Sequence, residues 1–329
     1  MQAEDASILY WRSASRRTFA VVASVAVVIP TYNNLPELRV CLKALSQQTY
    51  KDFVAYVCVD GSTDETLEYL KQCPYSFVEV LTHPDGRNHG RNATRNLVLP
   101  YLHRHKWVAF LDSDSIPLPD WLGCFYRAFE RDEEVLLGKI LYYASYGPNP
   151  WNEYRLWRMH THIRKADKVG FRHFCSINAF LLAEAFRQTG GFDGAIRRHG
   201  LGDVELGWRL AEAGMQFRLV VEAKVWSASQ QTPEQALVRY YEMGRLNLPY
   251  LYQKHPRIRE YLYGGRWLTK PFYRFLARGM YVLLRPSWVY AWLNRVPAWL
   301  RVRFLHYLVL YAIMQGHERR RIPAFLRAG

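Results

Sequence analysis

Two aspartates, Asp112 and Asp114, directly follow the apolar run WVAFL (107–111). Such a run indicates a buried β-strand, so both carboxylates are expected just past the strand's carboxyl end. Carboxylates two residues apart can face one hard cation, Mg²⁺ or Mn²⁺, together with a diphosphate. Surface Asp pairs are common, but the position of this pair after a strand favours a metal site. Such a cation would neutralise the charge that grows on a departing diphosphate.

Asp60 directly follows another candidate strand, FVAYVCV (53–59), and is the first residue of the motif DGSTD. A carboxylate in this position can accept hydrogen bonds from a ribose hydroxyl or a base N–H. The alternative is an Asx turn in which Asp60 binds only the backbone of the following GST. Thr63 and Asp64 already offer local helix capping, so we favour the ligand role for Asp60.

Arg91 and Arg95 lie four residues apart in GRNATRN (90–96), near an expected helix start. A guanidinium binds oxyanions through two parallel N–H groups, so Arg95 is expected to face a diphosphate. For Arg91, an exposed basic helix face is an equally good interpretation.

Asp203 lies near the start of a helix in GLGDVELGWRL (200–210). A lone acid there usually caps the helix. Glycines at positions 200, 202 and 207 nevertheless leave space for a ligand, and a carboxylate beside that space can deprotonate a hydroxyl group. Glu205 would face another side of the helix, so Asp203 is the preferred candidate base.

The elements that must position these residues alternate along the first 112 residues. Apolar strand patterns are separated by helical patterns, which predicts parallel βαβ units with right-handed crossovers. The strands are expected at 26–29, 53–59, 77–81 and 107–111. The motifs PTYNN (30–34), DGSTD and DSD follow three of them. Ligands of such sheets bind at the carboxyl ends of the strands.

Beyond residue 113 the pattern is mixed. Helices are expected at 121–130 and 204–214, strands at 135–143 and 176–183, and a loop with a short helix at 144–173. After residue 232 the pattern is helical with proline breaks.

Composition limits the class of protein. The chain has 329 residues, of which 50% are hydrophobic and 22% charged, a composition that argues against a disordered chain. An ordinary membrane-spanning helix is not expected, because apolar stretches are too short or carry charges. Five cysteines form no CxxC pair, which argues against a zinc ribbon and favours a reducing compartment. Arg16 and Arg17 precede FAVVASVAVVIP, which resembles a signal peptide; we favour a first strand, because no cleavage site follows.

The motifs PTYNN, VDGSTD, GRNATRN, FLDSD, GGFD and GDVELGWRL occur in the order and spacing of the family 2 inverting glycosyltransferases. The chain resembles this family over roughly residues 24–230. The resemblance implies an α/β fold of the GT-A nucleotide-sugar-binding type, with a mixed, mostly parallel sheet flanked by helices and a C-terminal helical extension. The implied division is a lead-in (1–23), a catalytic domain (24–231) and a basic, aromatic-rich helical region (232–329).

The resemblance also implies roles for single residues. Asp203 would be the catalytic base, and Asp114 and Asp112 would bind Mn²⁺ or Mg²⁺, with Asp114 the more direct ligand. The nucleotide-sugar donor would contact Pro30, Thr31, Tyr32, Asn33, Asp60, Arg95, Asp112 and Ser113. An acceptor hydroxyl deprotonated by Asp203 would displace the diphosphate and invert the anomeric centre.

Three departures from the family pattern stand out. Val59 stands where the family commonly has the first of two acids before GS. One nucleoside contact is therefore missing, and the nucleobase that the site prefers is less clearly indicated. Gly202 stands where the family often has a second acid beside Asp203. The segment VWSASQQ (225–231) lacks the late histidine that joins the metal in many members, and neither His199 nor His255 obviously replaces it.

The basic character of the chain is concentrated near its C-terminus. The formal net charge is +15, and residues 257–329 carry 14 Lys and Arg against Glu260 and Glu318. Arginines interleaved with aromatic and aliphatic residues suit helices that lie in a membrane interface. The alternative is a helical subdomain that packs on the catalytic core. Without an RNA-binding motif, nucleic acid is not an expected partner.

The leading hypothesis is therefore a cytoplasmic transferase, peripheral on the inner face of the cell membrane, which acts on a lipid-linked or polysaccharide acceptor with a UDP-sugar as the favoured donor. A soluble transferase that modifies a protein or small molecule is the second hypothesis. A nucleotide-sugar-binding scaffold without turnover is the third.

Overall fold

A computed structural model describes residues 10–12, 24–142, 149–163, 169–228, 231–262, 275, 279–318 and 320–323. Most of the predicted 1–23 lead-in, including the apolar residues up to 23, lies outside the described residues, as do parts of the predicted 144–173 loop and of the basic region. The chain divides into two compact units. The first comprises residues 1–143, 166–197 and 202–229, and the second comprises 144–165, 198–201 and 230–329. The division at 231/232 stays a prediction.

The first unit is built on a nine-stranded sheet with the order β1-β4-β3-β2-β5-β8-β7-β9-β6 among the described residues. Strands β4, β3, β2 and β5 are parallel, and β8 pairs antiparallel with both β5 and β7. The strands are β1 (Tyr10–Arg12), β2 (Val25–Thr31), β3 (Phe53–Val59), β4 (Val78–Thr82), β5 (Trp107–Leu111), β6 (Ser115–Pro117), β7 (Glu134–Tyr142), β8 (Asn178–Leu182) and β9 (Gln216–Ser227). The α/β fold class predicted from the sequence is confirmed.

Both faces of the central strands are buried, as expected for parallel strands flanked by helices. Along β2, Val27 and Ile29 join a core that includes residues of the helices Leu35–Ser46 and Trp121–Ala128. Val28 joins a second core with residues of the helices Ala183–Gln188 and Gly202–Glu212. The helices of this unit are α1 (Leu35–Ser46), α2 (Thr66–Lys71), α3 (Arg91–Arg95), α4 (Trp121–Ala128), α6 (Ala183–Gln188) and α7 (Gly202–Glu212).

The sequence pattern predicts a helix over residues 90–102, and the observed α-helix is shorter. Helix α3 ends at Arg95, and residues 96–104 continue as a 3₁₀ helix that contains Pro100. Proline lacks the N–H that an α-helix needs, so the tighter turn takes over. Strand β9 was not predicted, because its exposed and half-buried residues break the apolar alternation.

The second unit is helical, as the sequence predicts. The helices among its described residues include α5 (Pro150–Ile163), α8 (Pro233–Glu242), α9 (Leu248–Lys254), α10 (Pro286–Ala291) and α11 (Ala298–His317). Helix α11 packs on α5 and α8. Gly316 permits this approach, because an added Cβ would lie 2.0 Å from the carbonyl oxygen of Tyr241. Within the described residues, none of the helices combines the length and apolar character that crossing a membrane requires.

Candidate active site

The carboxyl ends of β2, β3 and β5 meet at one edge of the sheet, because these strands are parallel neighbours. Three predicted motifs follow them and line an open cleft. The lining residues are Pro30, Thr31, Tyr32, Asn34, Asp60, Arg91, Arg95, Asp112, Ser113 and Asp114. The structure therefore brings together most of the residues that the sequence singles out at the place where α/β sheets bind ligands.

Asn33 lies outside this lining and connects two of the motifs instead. Its φ of +49° turns the chain after β2, and its Oδ1 accepts a hydrogen bond of 2.7 Å from the Thr63 backbone N–H. The next residue, Asn34, has a direct place at the cleft. Its Nδ2 donates to Ser113 Oγ at 2.7 Å. Sequence reasoning missed Asn34, although the second Asn of PTYNN was a signal.

Asp60 is buried and holds the loop that precedes α3. The backbone N–H of His89 donates to Oδ1 at 2.7 Å, and that of Gly90 donates to Oδ2 at 3.1 Å. Gly61 has a φ of +67°, and an added Cβ would lie 2.5 Å from the backbone carbon of Arg87. Asp60 thus organises residues 83–90 against the end of β3, while it also lines the cleft.

Arg95 is the most deeply buried cation of the site, with 1% of its surface exposed. Its Nη2 donates to Oδ1 of Asp112 at 2.5 Å, and its guanidinium carbon lies 5.3 Å from the centre of the Phe192 ring. Its Nε and Nη1 are buried and have no hydrogen-bond partner in the described part of the chain. Buried N–H groups without partners are costly, so a charged ligand at this guanidinium would be favoured.

Asp203 is half-buried on the first turn of α7, where Ser176 donates a hydrogen bond to it. Burial raises the pKa of this carboxyl above its usual range. The Arg95 guanidinium opposes that shift, whereas the Asp112 carboxylate adds to it. Asp203 therefore lies within electrostatic reach of the pair at the cleft. A raised pKa suits a general base, because the group binds a proton more strongly at the working pH.

The neighbouring acid of α7 has a different environment. Glu205 is fully buried and receives two hydrogen bonds from Arg209, at 2.9 and 2.6 Å. Arg209 also donates to the carbonyl oxygens of Thr189 and Gly191. Arg209 therefore ties α7 to the segment that enters the GGFDG turn, and the carboxylate of Glu205 is engaged by Arg209.

Asn92 carries no chemical signal in the sequence, but it packs against the start of α7, next to Asp203. Its Nδ2 donates to the carbonyl oxygens of Asp193 and Ile196. Its side chain also lies so close to Gly202 that a Cβ there would be 2.5 Å from Nδ2. Gly202, which replaces the family's second acid, is thus required by packing at the start of α7.

Asp112 and Asp114 offer carboxylate oxygens, which are suitable ligands for Mg²⁺ or Mn²⁺. Arg95 donates a hydrogen bond to Oδ1 of Asp112, so a cation here would be held by the second oxygen of Asp112 together with the carboxylate of Asp114. In the described residues no group of three His, Cys, Asp or Glu side chains could hold a metal. The donor set fits a divalent cation that takes its other ligands from phosphate oxygens and water.

Comparisons with known proteins agree with this geometry. The family model described as "Glycosyl transferase family 2" matches residues 26–190, half of the chain. Chondroitin synthase of Escherichia coli is 24% identical over 280 residues, which cover 72% of this chain and 40% of that protein. The chain therefore spans less than half the length of this relative.

Two solved structures share the fold over most of the chain. The mannosyltransferase PcManGT of Pyrobaculum calidifontis, in complex with GDP-Man and Mn²⁺, is 16% identical, with a TM-score of 0.58 and coverage of 90% of this chain and 88% of that one. TarS 1–349 of S. aureus, in complex with UDP, is also 16% identical, with a TM-score of 0.52 and coverage of 90% of both chains. The fold is thus that of the GT-A glycosyltransferases, and this chain belongs to glycosyl transferase family 2.

Proposed function

We propose that this chain is an inverting glycosyltransferase that moves a sugar from a nucleoside-diphosphate sugar to a hydroxyl group of a lipid-linked or polysaccharide acceptor. The observation that carries this proposal is one cleft at the carboxyl ends of parallel strands. It holds Asp112, Asp114 and Arg95, and Asp203 lies within electrostatic reach. A UDP-sugar is the favoured donor. Because the structural neighbours are in complex with UDP and GDP-Man, uridine and guanosine nucleotides must both be tested.

In this proposal the donor lies along the cleft. Pro30, Thr31, Tyr32 and Asp60 flank the nucleoside, and Asn33 contributes by holding the loop beside them. Ser113, Arg95 and Asp112 are on the side of the diphosphate. Asp114 and Asp112 would hold Mn²⁺ or Mg²⁺, which supplies positive charge to the departing diphosphate when bound.

Asp203 takes the proton of the acceptor hydroxyl onto a carboxylate oxygen. The acceptor oxygen then forms a bond with the anomeric carbon, on the face opposite the diphosphate. The bond from that carbon to the diphosphate breaks, and its electron pair leaves with the diphosphate. One displacement inverts the anomeric centre, and no covalent intermediate with the enzyme is needed. The guanidinium of Arg95 is already in place before the reaction, and it stabilises the negative charge that grows on the departing diphosphate.

The acceptor is proposed to lie at the inner face of the cell membrane. The excess of basic residues in 257–329 supports this location, because the cytoplasmic leaflet carries anionic lipids. The relative named chondroitin synthase supports a carbohydrate polymer as one class of acceptor.

Thermal unfolding tests the donor site first. UDP, GDP, dTDP and their sugar conjugates are each added with and without Mn²⁺. A ligand at 100 times its Kd stabilises the folded state by about 2.7 kcal/mol, which raises the Tm. We expect a metal-dependent rise with one nucleotide, loss of the metal dependence in Asp114→Ala, and an unchanged response in the exposed control Asp132→Asn.

Turnover tests the chemistry. With the donor identified, release of the nucleoside diphosphate is measured for the wild type and for Asp203→Asn. General base catalysis contributes about 10²–10⁴-fold, so turnover should fall by that factor while the donor still raises the Tm. Turnover near the wild-type rate in Asp203→Asn would show that the base has been assigned wrongly. If none of the nucleotides raised the Tm or was turned over, the proposed function itself would be wrong.

A further inference from the structure

The segment between Glu260 and Glu318 contains no acid and eight Lys or Arg residues. Where the structure describes this segment, its apolar residues fall into two groups. On α11, Leu305, Leu308 and Ile313 are buried within the second unit. The run WLRVRFLHYLVLYAIM (299–314), part of the basic and aromatic-rich region, is therefore largely used for packing.

The second group is exposed to solvent. We call it the tryptophan surface and define it as Val282, Leu283, Trp288, Trp292 and Trp299. The exposed fractions are 75%, 86%, 64%, 53% and 62% in that order. Trp288 lies on α10 and Trp292 is the residue that caps its C-terminus. They are four residues apart, so their side chains lie on the same face of the helix. Folding gains nothing from leaving side chains of this size in water, and so many large apolar side chains exposed within residues 282–299 indicate an interaction site.

Each exposed tryptophan carries an arginine over its ring. The guanidinium carbon of Arg285 lies 5.3 Å from the centre of the Trp288 ring, and that of Arg295 lies 5.8 Å from the Trp292 ring. Arg303 makes the same contact with Trp299 at 5.7 Å. A cation held over an indole places positive charge directly beside an apolar surface.

This combination identifies the kind of partner. The positive charge calls for an anionic partner, and a second copy of the same surface would bring like charges together. Single-stranded nucleic acid stacks on aromatic rings but gives no role to Val282 and Leu283, which are the most exposed side chains of the surface. An anionic bilayer satisfies both groups: tryptophan and arginine lie at headgroup depth, and aliphatic side chains reach the acyl chains.

We infer that the tryptophan surface docks on an anionic lipid bilayer, with Val282 and Leu283 inserted and Arg285, Arg295 and Arg303 paired with lipid phosphates. This inference rests on the proposed function in one respect, namely that the acceptor lies at a membrane. Docking itself requires no turnover, so it can be measured separately.

The experiment is co-sedimentation of the whole protein with vesicles of phosphatidylcholine alone and of phosphatidylcholine mixed with phosphatidylglycerol. One variant carries Trp288→Ser and Trp299→Ser, and a second carries Arg285→Gln, Arg295→Gln and Arg303→Gln. The matched controls are Val40→Ser and Lys71→Gln, which change an exposed apolar and an exposed basic residue of the first unit. Arg301 is left unchanged, because it is paired with Glu153.

We expect the wild type and both controls to bind the anionic vesicles more tightly than the neutral ones. Each basic residue near an anionic surface contributes about fivefold, so the triple arginine variant should bind about 100-fold more weakly. The double tryptophan variant should lose at least about tenfold on the anionic vesicles. Both variants should keep the thermal response to the donor nucleotide, which shows that they are folded.

Wild-type protein that does not sediment with anionic vesicles would overturn the inference. So would unchanged binding in the double tryptophan variant. A wild type that is dimeric in solution, does not bind vesicles and becomes monomeric in this variant would show that a second copy is the partner. Binding of single-stranded nucleic acid in place of vesicles would equally overturn it. Because vesicle binding is measured without donor, its outcome is distinct from failure of the proposed reaction.

Discussion

Replacing Arg95 by methionine is expected to change catalysis far more than stability. The wild-type guanidinium is 1% exposed and is paired with Asp112 at 2.5 Å. Removing one partner of a fully buried pair costs about 3–5 kcal/mol. The Asp112 side chain is 23% exposed, so water can solvate the carboxylate that loses its partner. The cost therefore falls toward the lower end of this range.

An opposite contribution comes from the same side chain. The buried Nε and Nη1 of Arg95 have no partner in the described residues. Unpaired buried donors cost about 1–3 kcal/mol each, and methionine removes both while it fills a similar volume. The two effects nearly cancel, so we expect the free energy of unfolding to change by about 2 kcal/mol or less. Urea unfolding measures this change.

The effect on catalysis appears in the pH profile. Asp203 must be deprotonated to act as a base, so turnover is present above its pKa and is lost as the pH falls through that pKa. Burial already raises the pKa, and Arg95 opposes this shift. Without the Arg95 charge the pKa of Asp203 rises further, so the acid limb of kcat/KM moves to higher pH.

Arg91→Met is the matched control. Arg91 lines the same cleft and lies one helical turn before Arg95, but it affects the pKa of Asp203 less. It should therefore shift the acid limb less. An acid limb that stays in place in Arg95→Met would refute the electrostatic link between Arg95 and Asp203. A loss of stability above about 4 kcal/mol would show that the two donors are satisfied in the folded protein.

Two further predictions concern the scaffold. Glu205→Gln breaks the pair with Arg209, whose side chain is 20% exposed, so it should destabilise the protein by about 3 kcal/mol, with little change in kcat per folded molecule. Asp203→Asn should show the opposite pattern, and urea unfolding combined with turnover separates the two. Gly61→Ala places a Cβ 2.5 Å from the backbone of Arg87 at a φ of +67°, so it should cost about 1–3 kcal/mol and weaken donor binding, as measured by urea unfolding and nucleotide titration. Wild-type stability in Gly61→Ala would mean that the 83–90 loop moves without cost.

Much of the fold could be predicted from the sequence, because the first part of the chain obeys simple periodicities. The strands at 53–59 and 107–111 were predicted with the bounds that the structure has. Both are continuous apolar runs bounded by turn residues, which is what burial on two faces of a parallel sheet produces. Strand β9 could not be predicted in this way, because it lies toward the edge of the sheet with an exposed side.

The candidate site followed from the same logic. Residues after parallel strands must meet at one edge, so Thr31, Asp60 and Asp112 could be grouped without any coordinates. What each side chain does there could not be predicted. Asp60 binds backbone N–H groups of a loop about 30 residues away in sequence, and such contacts leave no local pattern.

Local periodicity and composition were enough to establish the alternation of strands and helices, the three polar motifs at strand ends and the charge asymmetry of the chain. Only the tertiary structure shows that Glu205 forms an ion pair with Arg209, whereas Asp203 interacts electrostatically with Arg95. Folding also separates the apolar residues in the described part of the basic segment into buried and exposed groups. Burial and charge pairing depend on neighbours that are remote in sequence, so they exist only once the chain has folded.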